Sequence, residues 1–249
     1  DECRTEQAGC RKTRCKEEVI ALPRLIAHRC GGNRAPENTL AGLHEAARAG
    51  CQAVEFDVML SADGTPVLIH DETLERTTNG VGRVCEMPDA VLFALDAGKG
   101  ERIPTLAEAA ALCQRYGLLA NIEIKPSAGH EAATGACVAR FVQERWQGIS
   151  PLLSSFSAEA LQAAWRVAPD LQYGLLFEAV PADWQRQRDT IGAVTLHCAA
   201  DQVTDAVLAE AAVAGVPVLC YTVNEIGSAQ ALFARGVGSV FSDRIDLLA

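Results

Sequence analysis

Short apolar runs alternate with alanine-rich helical patterns along most of the chain. Each apolar run spans about four to eight residues between turn residues, which is the pattern of a buried strand. Runs of this kind lie at 24–28, 53–58, 119–125, 151–155, 172–177, 192–197, 216–223 and 238–242. Eight strands alternating with helices predict a parallel sheet, and we expect it to close as a (β/α)8 TIM barrel.

Residues that favour helix ends separate these strands. Glycine commonly follows the last residue of a helix, and five predicted helices stop this way, at Gly50, Gly117, Gly148, Gly215 and Gly236. Thr105 and Glu108 predict a capping box, because each side chain can bind the backbone N–H of the other. Ser157 and Asn224 are predicted N-caps of two further helices.

The second and third predicted strands lie much further apart than any other neighbours. The sequence between them is rich in turn signals such as Asn79-Gly80. We therefore expect an insertion of about 30 to 45 residues after the second strand, at about 71–104.

An open doubly wound sheet is the alternative to a barrel for this alternation. That fold commonly carries a glycine-rich dinucleotide fingerprint after its first strand. The loop after the first predicted strand reads HRCGGNR instead. We therefore expect one barrel domain over 23–249.

Composition and charge restrict the partners. The 249 residues are 49% hydrophobic with a net charge of −10, which argues against a nucleic-acid or anionic-membrane surface. No apolar run approaches the roughly 20 residues of a membrane span. We expect a small-molecule ligand, and any phosphate on it must be held by a few local cations or a metal. The oligomeric state is left open.

The ten cysteines fall into two groups. Cys3, Cys10 and Cys15 lie in a charged N-terminal extension, 1–22, which we expect to be poorly ordered. A zinc site there is the alternative, although the spacing matches no paired CxxC pattern. The remaining cysteines stand singly among apolar residues, as buried free thiols often do. This distribution favours a reducing, cytoplasmic location.

Three carboxylates are expected at the carboxyl ends of neighbouring strands, where barrel active sites lie. Alternation along a strand places Glu55 and Asp57 on one face and Glu123 on the corresponding face of the next strand. Burying unpaired carboxylates is costly, so they need a structural network with Arg29 and Lys125 or a divalent cation. All-oxygen ligation favours Mg²⁺ or Ca²⁺ over zinc.

Two histidines also end apolar runs. His28 closes the first predicted strand, and His70 closes the run at 66–69 and precedes Asp71, which could orient its ring. Histidine titrates near neutral pH, so the pair could serve as general base and general acid. The sequence does not assign the two roles.

Two nucleophiles compete with this interpretation. Cys30 follows His28, but adjacent residues on a strand point to opposite faces, and no context favours a thiolate. Lys125 could form a Schiff base, but the carboxylate two residues earlier would hold it charged. Gly31 and Gly32 more simply allow the backbone to turn close to the site.

Five motifs in this order resemble the glycerophosphodiester phosphodiesterases: AHRCGGNRAPENTL, VEFDVMLSADGTPVLIHDETLERTTNG, NIEIKP, LLSSFS and YTVN. The similarity runs from about residue 25 to the C-terminus and is closest to the short cytosolic bacterial branch. It implies a (β/α)8 barrel with a small insertion after the second strand. Where the family commonly shows His-Arg-Gly, this chain has Cys30, which would be strained if the backbone there has positive φ.

The resemblance also implies residue roles. It implies that Glu55, Asp57 and Glu123 bind one divalent cation, Mg²⁺ or Ca²⁺, and that His28 and His70 are the acid/base pair. The implied substrate-binding residues are Arg29, Lys125, Glu37, Phe156 and Tyr221. Whether Glu37 ligates the metal is left open.

The resemblance finally implies an activity. The expected reaction is hydrolysis of glycerophosphodiesters, such as glycerophosphocholine or glycerophosphoethanolamine, to sn-glycerol 3-phosphate and an alcohol. A phospholipid-cleaving phosphodiesterase with the same barrel is the nearest alternative. A Schiff-base lyase that uses Lys125 and a non-catalytic phosphate-ligand binding protein are more distant ones.

Overall fold

The chain forms a closed barrel of parallel strands, as the alternation predicts. The computed structural model describes residues 22–247. Its strands, in chain order, are β1 (Leu25–Ala27), β2 (Ala53–Leu60), β3 (Pro66–Leu68), β4 (Leu119–Ile124), β5 (Leu152–Ser155), β6 (Gln172–Phe177), β7 (Thr195–Ala199), β8 (Val218–Tyr221) and β9 (Ser239–Ser242). Strand β1 pairs in parallel with both β9 and β2, which closes the barrel and rejects the open sheet.

Helices pack around this barrel. They are α1 (Leu40–Arg48), α2 (Asp89–Leu92), α3 (Leu106–Tyr116), α4 (Glu131–Arg145), α5 (Ala158–Val167), α6 (Trp184–Ile191), α7 (Asp205–Val213) and α8 (Ile226–Ala234). Between residues 22 and 247, no helix combines the length and the apolar character needed to cross a bilayer. The predicted extension and its zinc alternative at Cys3, Cys10 and Cys15 lie outside the described residues.

The strands divide their two faces as the sequence predicts. Val54, Phe56 and Val58 of β2 are fully buried in the main hydrophobic core, which the helices share. Inside the barrel, a smaller apolar cluster that includes Ile26 and Leu219 fills the amino-terminal end. The polar residues of the strands are thereby left to the carboxyl-terminal half of the barrel.

The segment between β2 and β4 begins with a strand at the apolar run 66–69, which the sequence analysis ended at His70 without counting it among the eight barrel strands. Strand β3 folds back antiparallel onto β2, pairing Leu68 with Val58, so it is not one of the parallel strands. The chain from there to α3 has a hydrophobic core of its own, built from Met59, Val67, Ile69, Leu74, Val84, Leu92, Ala97 and Ile103. This second core holds the segment against β2 on one side of the barrel.

Most of the predicted helix ends are confirmed. Thr105 and Glu108 form the capping box, and the Ser157 hydroxyl accepts the Ala160 N–H. The prediction for Asn224 is wrong, because Glu225 is the N-cap of α8. The Asn224 side chain is instead held by the loop after β9, where its oxygen accepts the backbone N–H of Asp243 at 2.8 Å.

The contact between α4 and α5 depends on a glycine. A Cβ on Gly135 would lie 2.1 Å from the backbone oxygen of Ala160. We expect Gly135→Ala to force the helices apart and to lower the free energy of unfolding by about 1–3 kcal/mol, as measured by urea denaturation. Gly227→Ala in α8 is the matched control, because its Cβ would meet nothing within 4 Å.

The control should leave stability unchanged or raise it by up to about 1 kcal/mol, because alanine favours a helix more than glycine does. Equal effects of the two substitutions would contradict the predicted close contact.

Candidate active site

Three carboxylates meet at the carboxyl ends of β2 and β4. Glu55 and Asp57 are 3% and 1% exposed, and Glu123 lies beside Asp57 in the strand register. One oxygen from each of the three lies within 4.8 Å of the others. The alternation of strand faces predicted this grouping, and the structure brings the three together.

Burial and mutual repulsion oppose ionisation of these acids. Burial, and after it the charge of Asp57, raise the pKa of Glu123 to about 7. The pKa of Glu55 is well above its ordinary value for the same two reasons, with burial first. An uncompensated cluster of this kind binds protons unless positive charge is supplied.

Hydrogen bonds compensate the carboxylates only in part. The backbone N–H of Arg29 donates to Glu55 Oε2 at 2.8 Å, and the Asn38 amide donates to Asp57 Oδ2 at 2.8 Å. Glu55 Oε1 is buried and has no hydrogen-bond partner. The free oxygen and the all-oxygen donor set fit a hard divalent cation.

The two histidines are held in the same way on either side of the acids. His28 Nδ1 lies 2.7 Å from Asp243 Oδ1, and His70 Nδ1 lies 2.6 Å from Asp71 Oδ1. A carboxylate on Nδ1 fixes the ring orientation and the tautomer. Each ring therefore presents Nε2 to the space over the acids.

His70 is neutral in this arrangement. Burial lowers the pKa of its imidazole, and the Lys125 ammonium donates to His70 Nε2 at 2.7 Å. The ring proton is then on Nδ1, where it is donated to Asp71. Lys125 also lies 3.4 Å from Glu123 Oε1, so one cation contacts both the histidine and the acid cluster.

An exposed arginine links the two halves of the site. The Arg76 guanidinium makes two hydrogen bonds to Asp71, at 2.5 and 3.0 Å, and two to Glu37, both at 2.8 Å. Glu37 in turn accepts from Arg29 at 2.9 Å. Arg76 holds the pKa of Asp71 well below its usual range. His70 and Arg29 are thus positioned through one continuous chain of ion pairs.

The backbone at Cys30 has the positive φ that the sequence analysis considered. Its φ is 75°, and that of Arg29 is 49°. The Cys30 side chain is fully buried against α1, where a Cβ on Gly42 would come within 2.8 Å of it. Burial raises the pKa of the thiol well above its ordinary value, so Cys30 is protonated and unsuited to act as a nucleophile.

The acid cluster, the two histidines, Arg29 and Lys125 line one cavity of about 340 Å³. Of the ten site residues that the sequence predicts, nine lie on its wall: His28, Arg29, Glu55, Asp57, His70, Glu123, Lys125, Phe156 and Tyr221. Phe156 and Tyr221 meet edge to face, with ring centroids 5.9 Å apart. Glu37 lies in an adjoining groove with Thr222 and Arg244.

Several site residues escaped the sequence analysis. Asp243 directly follows β9, so the rule that strand ends carry the site could have found it. Arg76 and Asn38 lie in loops, and no local pattern marks their partners. Asn121 and His197 also line the cavity, although in the sequence analysis they are only positions within the predicted strands 119–125 and 192–197.

Comparison with known proteins agrees with this geometry. Residues 28–247 match the glycerophosphoryl diester phosphodiesterase family. The chain belongs to this family. A glycerophosphodiester phosphodiesterase from Caldanaerobacter subterraneus subsp. tengcongensis is 31% identical over 226 residues, which cover 88% of this chain and 93% of that protein.

Solved structures of other phosphodiesterases share the barrel. A phosphodiesterase from Oleispira antarctica, in complex with the product sn-glycerol 3-phosphate, is 39% identical with a TM-score of 0.86, covering 89% of this chain and 93% of that one. A glycerophosphodiester phosphodiesterase from Agrobacterium tumefaciens is 27% identical with a TM-score of 0.72, covering 91% and 98%. Membership makes this chain a phosphodiesterase, so the lyase and the non-catalytic binding protein are rejected.

Removal of divalent cations should make the stability of this phosphodiesterase fall as pH rises. A carboxyl group whose pKa is raised by folding stabilises the folded state below its unfolded pKa and loses that contribution as pH rises through the folded value. The folded pKa of Glu123 is about 7, so we expect Tm in a chelator to fall between about pH 5 and about pH 8.

Added Mg²⁺ or Ca²⁺ should therefore raise Tm more at the alkaline end of this range. Glu123→Gln serves as the control, because an uncharged amide should reduce the pH dependence in the chelator to the part that Glu55 contributes. If the wild-type Tm stays constant over this pH range both in the chelator and with added cation, the predicted repulsion among the carboxylates is contradicted.

Arg76→Gln should impair turnover although Arg76 lies outside the cavity wall. Its loss leaves Asp71 and Glu37 without their shared cation, so the carboxylates that orient His70 and Arg29 can turn away. We expect kcat/KM to fall by about 10- to 100-fold, the range for loss of an orienting partner, and the pH–rate profile to shift. Arg76→Lys should recover part of the activity.

Arg83→Gln is the matched control for this substitution. Arg83 belongs to the same segment and pairs with Glu72 and Glu86, away from the histidines. If both substitutions have the same kinetic effect, the linking role of Arg76 is wrong.

Proposed function

We propose that this phosphodiesterase hydrolyses glycerophosphodiesters to sn-glycerol 3-phosphate and an alcohol, with one divalent cation and a histidine pair. The observation that carries the proposal is the placement of two carboxylate-anchored histidines, His28 and His70, in one cavity with three buried acids. The product bound in the Oleispira antarctica relative supports the choice of substrate class. Glycerophosphocholine and glycerophosphoethanolamine are the proposed substrates.

The phosphate is proposed to bind between Arg29 and Lys125. Both side chains line the cavity, and both reach the acid cluster, at 4.0 Å from Asp57 Oδ2 for Arg29 Nε and 3.5 Å from Asp57 Oδ1 for Lys125 Nζ. The buried Arg29 Nε has no hydrogen-bond partner, so it can donate to a phosphate oxygen. Two cations on one side of a phosphodiester also stabilise the charge that develops during transfer.

Glu55, Asp57 and Glu123 are the proposed ligands of the cation, either Mg²⁺ or Ca²⁺. A divalent cation bound there supplies positive charge to a phosphate oxygen and lowers the pKa of a nearby hydroxyl group. Glu37 is not part of this cluster, because both of its oxygens accept from arginines. We assign Glu37 the positioning of Arg29 beside the phosphate.

His28 and His70 are proposed to move the two protons of the reaction. One ring takes a proton from the attacking hydroxyl through Nε2 as the new P–O bond forms. The other gives a proton to the leaving oxygen as the old P–O bond breaks. Asp243 and Asp71 stabilise whichever ring is positively charged. The attacking oxygen is that of water, which gives sn-glycerol 3-phosphate directly, or that of the neighbouring glycerol hydroxyl, which gives a cyclic phosphate. Water then attacks the phosphorus of the cyclic phosphate, the P–O bond to that hydroxyl oxygen breaks, and the oxygen takes back a proton to leave sn-glycerol 3-phosphate.

Phe156 and Tyr221 form the proposed wall for the organic part of the substrate. The Phe156 side chain is half exposed at the mouth, while the Tyr221 hydroxyl is held by the backbone oxygen of Phe177 at 2.8 Å. A rigid inner ring and an exposed outer ring suit a ligand that enters from solvent.

The cytoplasmic location stays a prediction.

Activity assays with single histidine variants test the proposal. We expect wild-type protein to release glycerol 3-phosphate from glycerophosphocholine with Mg²⁺ or Ca²⁺ and to stop in a chelator. His28→Ala and His70→Ala should each lower kcat by about 10²- to 10⁴-fold, since each removes a proton-transfer group. His44→Ala is the control, because His44 lies on α1 against Tyr116, away from the cavity.

Turnover that persists in the chelator would overturn the cation assignment. Histidine variants as active as His44→Ala would overturn the acid/base assignment. Faster cleavage of a phospholipid that carries fatty-acyl chains than of glycerophosphocholine would favour the phospholipid-cleaving alternative.

A further inference from the structure

The cavity that holds the acid cluster also has a polar part, beside Glu55, that the proposed mechanism does not use. Asn121 on β4 lies two residues before Glu123 on the same face, and His197 lies across the barrel on β7. They are 4% and 0% exposed, and both line the cavity that holds the histidine pair. These two residues, which we call the floor, therefore lie inside the barrel on the wall of the active-site cavity.

Each floor residue has one hydrogen-bonding atom satisfied and one left over. The Asn121 amide nitrogen donates to Ser154 Oγ at 3.1 Å, and His197 Nε2 lies 2.9 Å from Thr195 Oγ1. Asn121 Oδ1 and His197 Nδ1 are buried without a partner. A buried polar atom left unpaired costs about 1–3 kcal/mol, so both atoms are available to hydrogen-bond a ligand group.

The barrel is shaped to hold this histidine. A Cβ on Gly174 of β6 would lie 2.8 Å from His197 Nε2 and 2.6 Å from Thr195 Oγ1. Glycine at this position therefore leaves the space that the His197–Thr195 pair occupies. The His197 ring also packs against Phe241, with centroids 5.4 Å apart, so its orientation is fixed from two sides.

The floor suits a neutral ligand group. Burial lowers the pKa of His197 to about 3, so the ring carries no charge at neutral pH. Asn121 is uncharged as well, and the remaining wall at this depth includes the apolar Leu176. Neither floor side chain offers a phosphate a positive charge, whereas a hydroxyl group can donate to one free atom and accept from the other.

The depth of the floor matches a three-carbon polyol. Two residues along a strand advance by about 6.6 Å, which is the step along β4 from Glu123 to Asn121, the residue paired in register with Glu55. A glycerol chain that extends inward from a phosphate on Arg29 and Lys125 covers a similar distance. We propose that Asn121 and His197 bind the terminal hydroxyl group of the glycerol moiety and so select glycerol from shorter or deoxygenated alcohols.

This inference rests on the proposed function, and its test uses paired substrates. One is glycerophosphocholine, and the other is its analogue in which propane-1,2-diol replaces glycerol, so that only the terminal hydroxyl is missing. Wild-type enzyme should favour glycerophosphocholine in kcat/KM by about 10- to 100-fold, because the analogue leaves the floor unpaired. Calorimetry should show the same preference between the two phosphate monoester products.

Asn121→Leu and His197→Phe should each bring the ratio of the two kcat/KM values, glycerophosphocholine over the analogue, closer to one. They should do so by weakening turnover of glycerophosphocholine while turnover of the analogue stays near its wild-type value or rises. Ser239→Ala is the matched control. Ser239 Oγ is also a buried atom without a partner, but Ser239 is not among the described residues that line the cavity, so the preference should remain.

The outcomes separate this inference from the proposed function. If wild-type enzyme cleaves both substrates equally, or if the floor variants slow both equally, the floor binds no substrate hydroxyl and the inference is overturned alone. If wild-type enzyme neither cleaves glycerophosphocholine nor binds glycerol 3-phosphate, both proposals fail. Because Asn121 and His197 are changed separately, one misfolded variant still leaves the other to decide.

Discussion

Electrostatic repulsion among three buried carboxylates is the constraint on which the site depends. Glu55, Asp57 and Glu123 lie within 4.8 Å of one another through one oxygen each, where burial already disfavours their charged forms. The surrounding cations are placed accordingly, since Arg29 and Lys125 both lie within 4.0 Å of an acid oxygen. The same charges that relieve this repulsion are the ones a phosphate would meet on entering the cavity.

The segment between β2 and β4 is as much a part of the site as the barrel is. It carries His70 and Asp71, which orients the His70 ring. It also carries Arg76, which donates to Glu37, a residue of the loop after β1. A separate hydrophobic core fixes this segment to β2, so the backbone that carries its polar residues is anchored to the barrel. Placing half of the histidine pair on such a segment allows His70 to face His28 across the acids.

The sequence was sufficient for the barrel and for the residues at strand ends, because period-2 alternation determines which side chains share a face. It could not reveal the partners of those residues. His28 and Asp243 are 215 positions apart, and their contact exists only because β1 pairs with β9. Asn224 shows the limit most clearly: its local pattern is that of an N-cap, and a distant loop uses its side chain instead.

The strained loop after β1 follows from the same geometry. Arg29, Cys30 and Asn38 all have positive φ, which costs about 1–3 kcal/mol for each residue without glycine's freedom. The strained backbone places the Arg29 N–H on the Glu55 carboxylate and the Cys30 N–H 2.7 Å from the Glu55 backbone oxygen. Cysteine is tolerated where glycine would relax the chain, because its buried thiol packs against α1 and its N–H fixes the loop to β2. The strained loop therefore fixes the backbone from which the Arg29 side chain reaches the cavity.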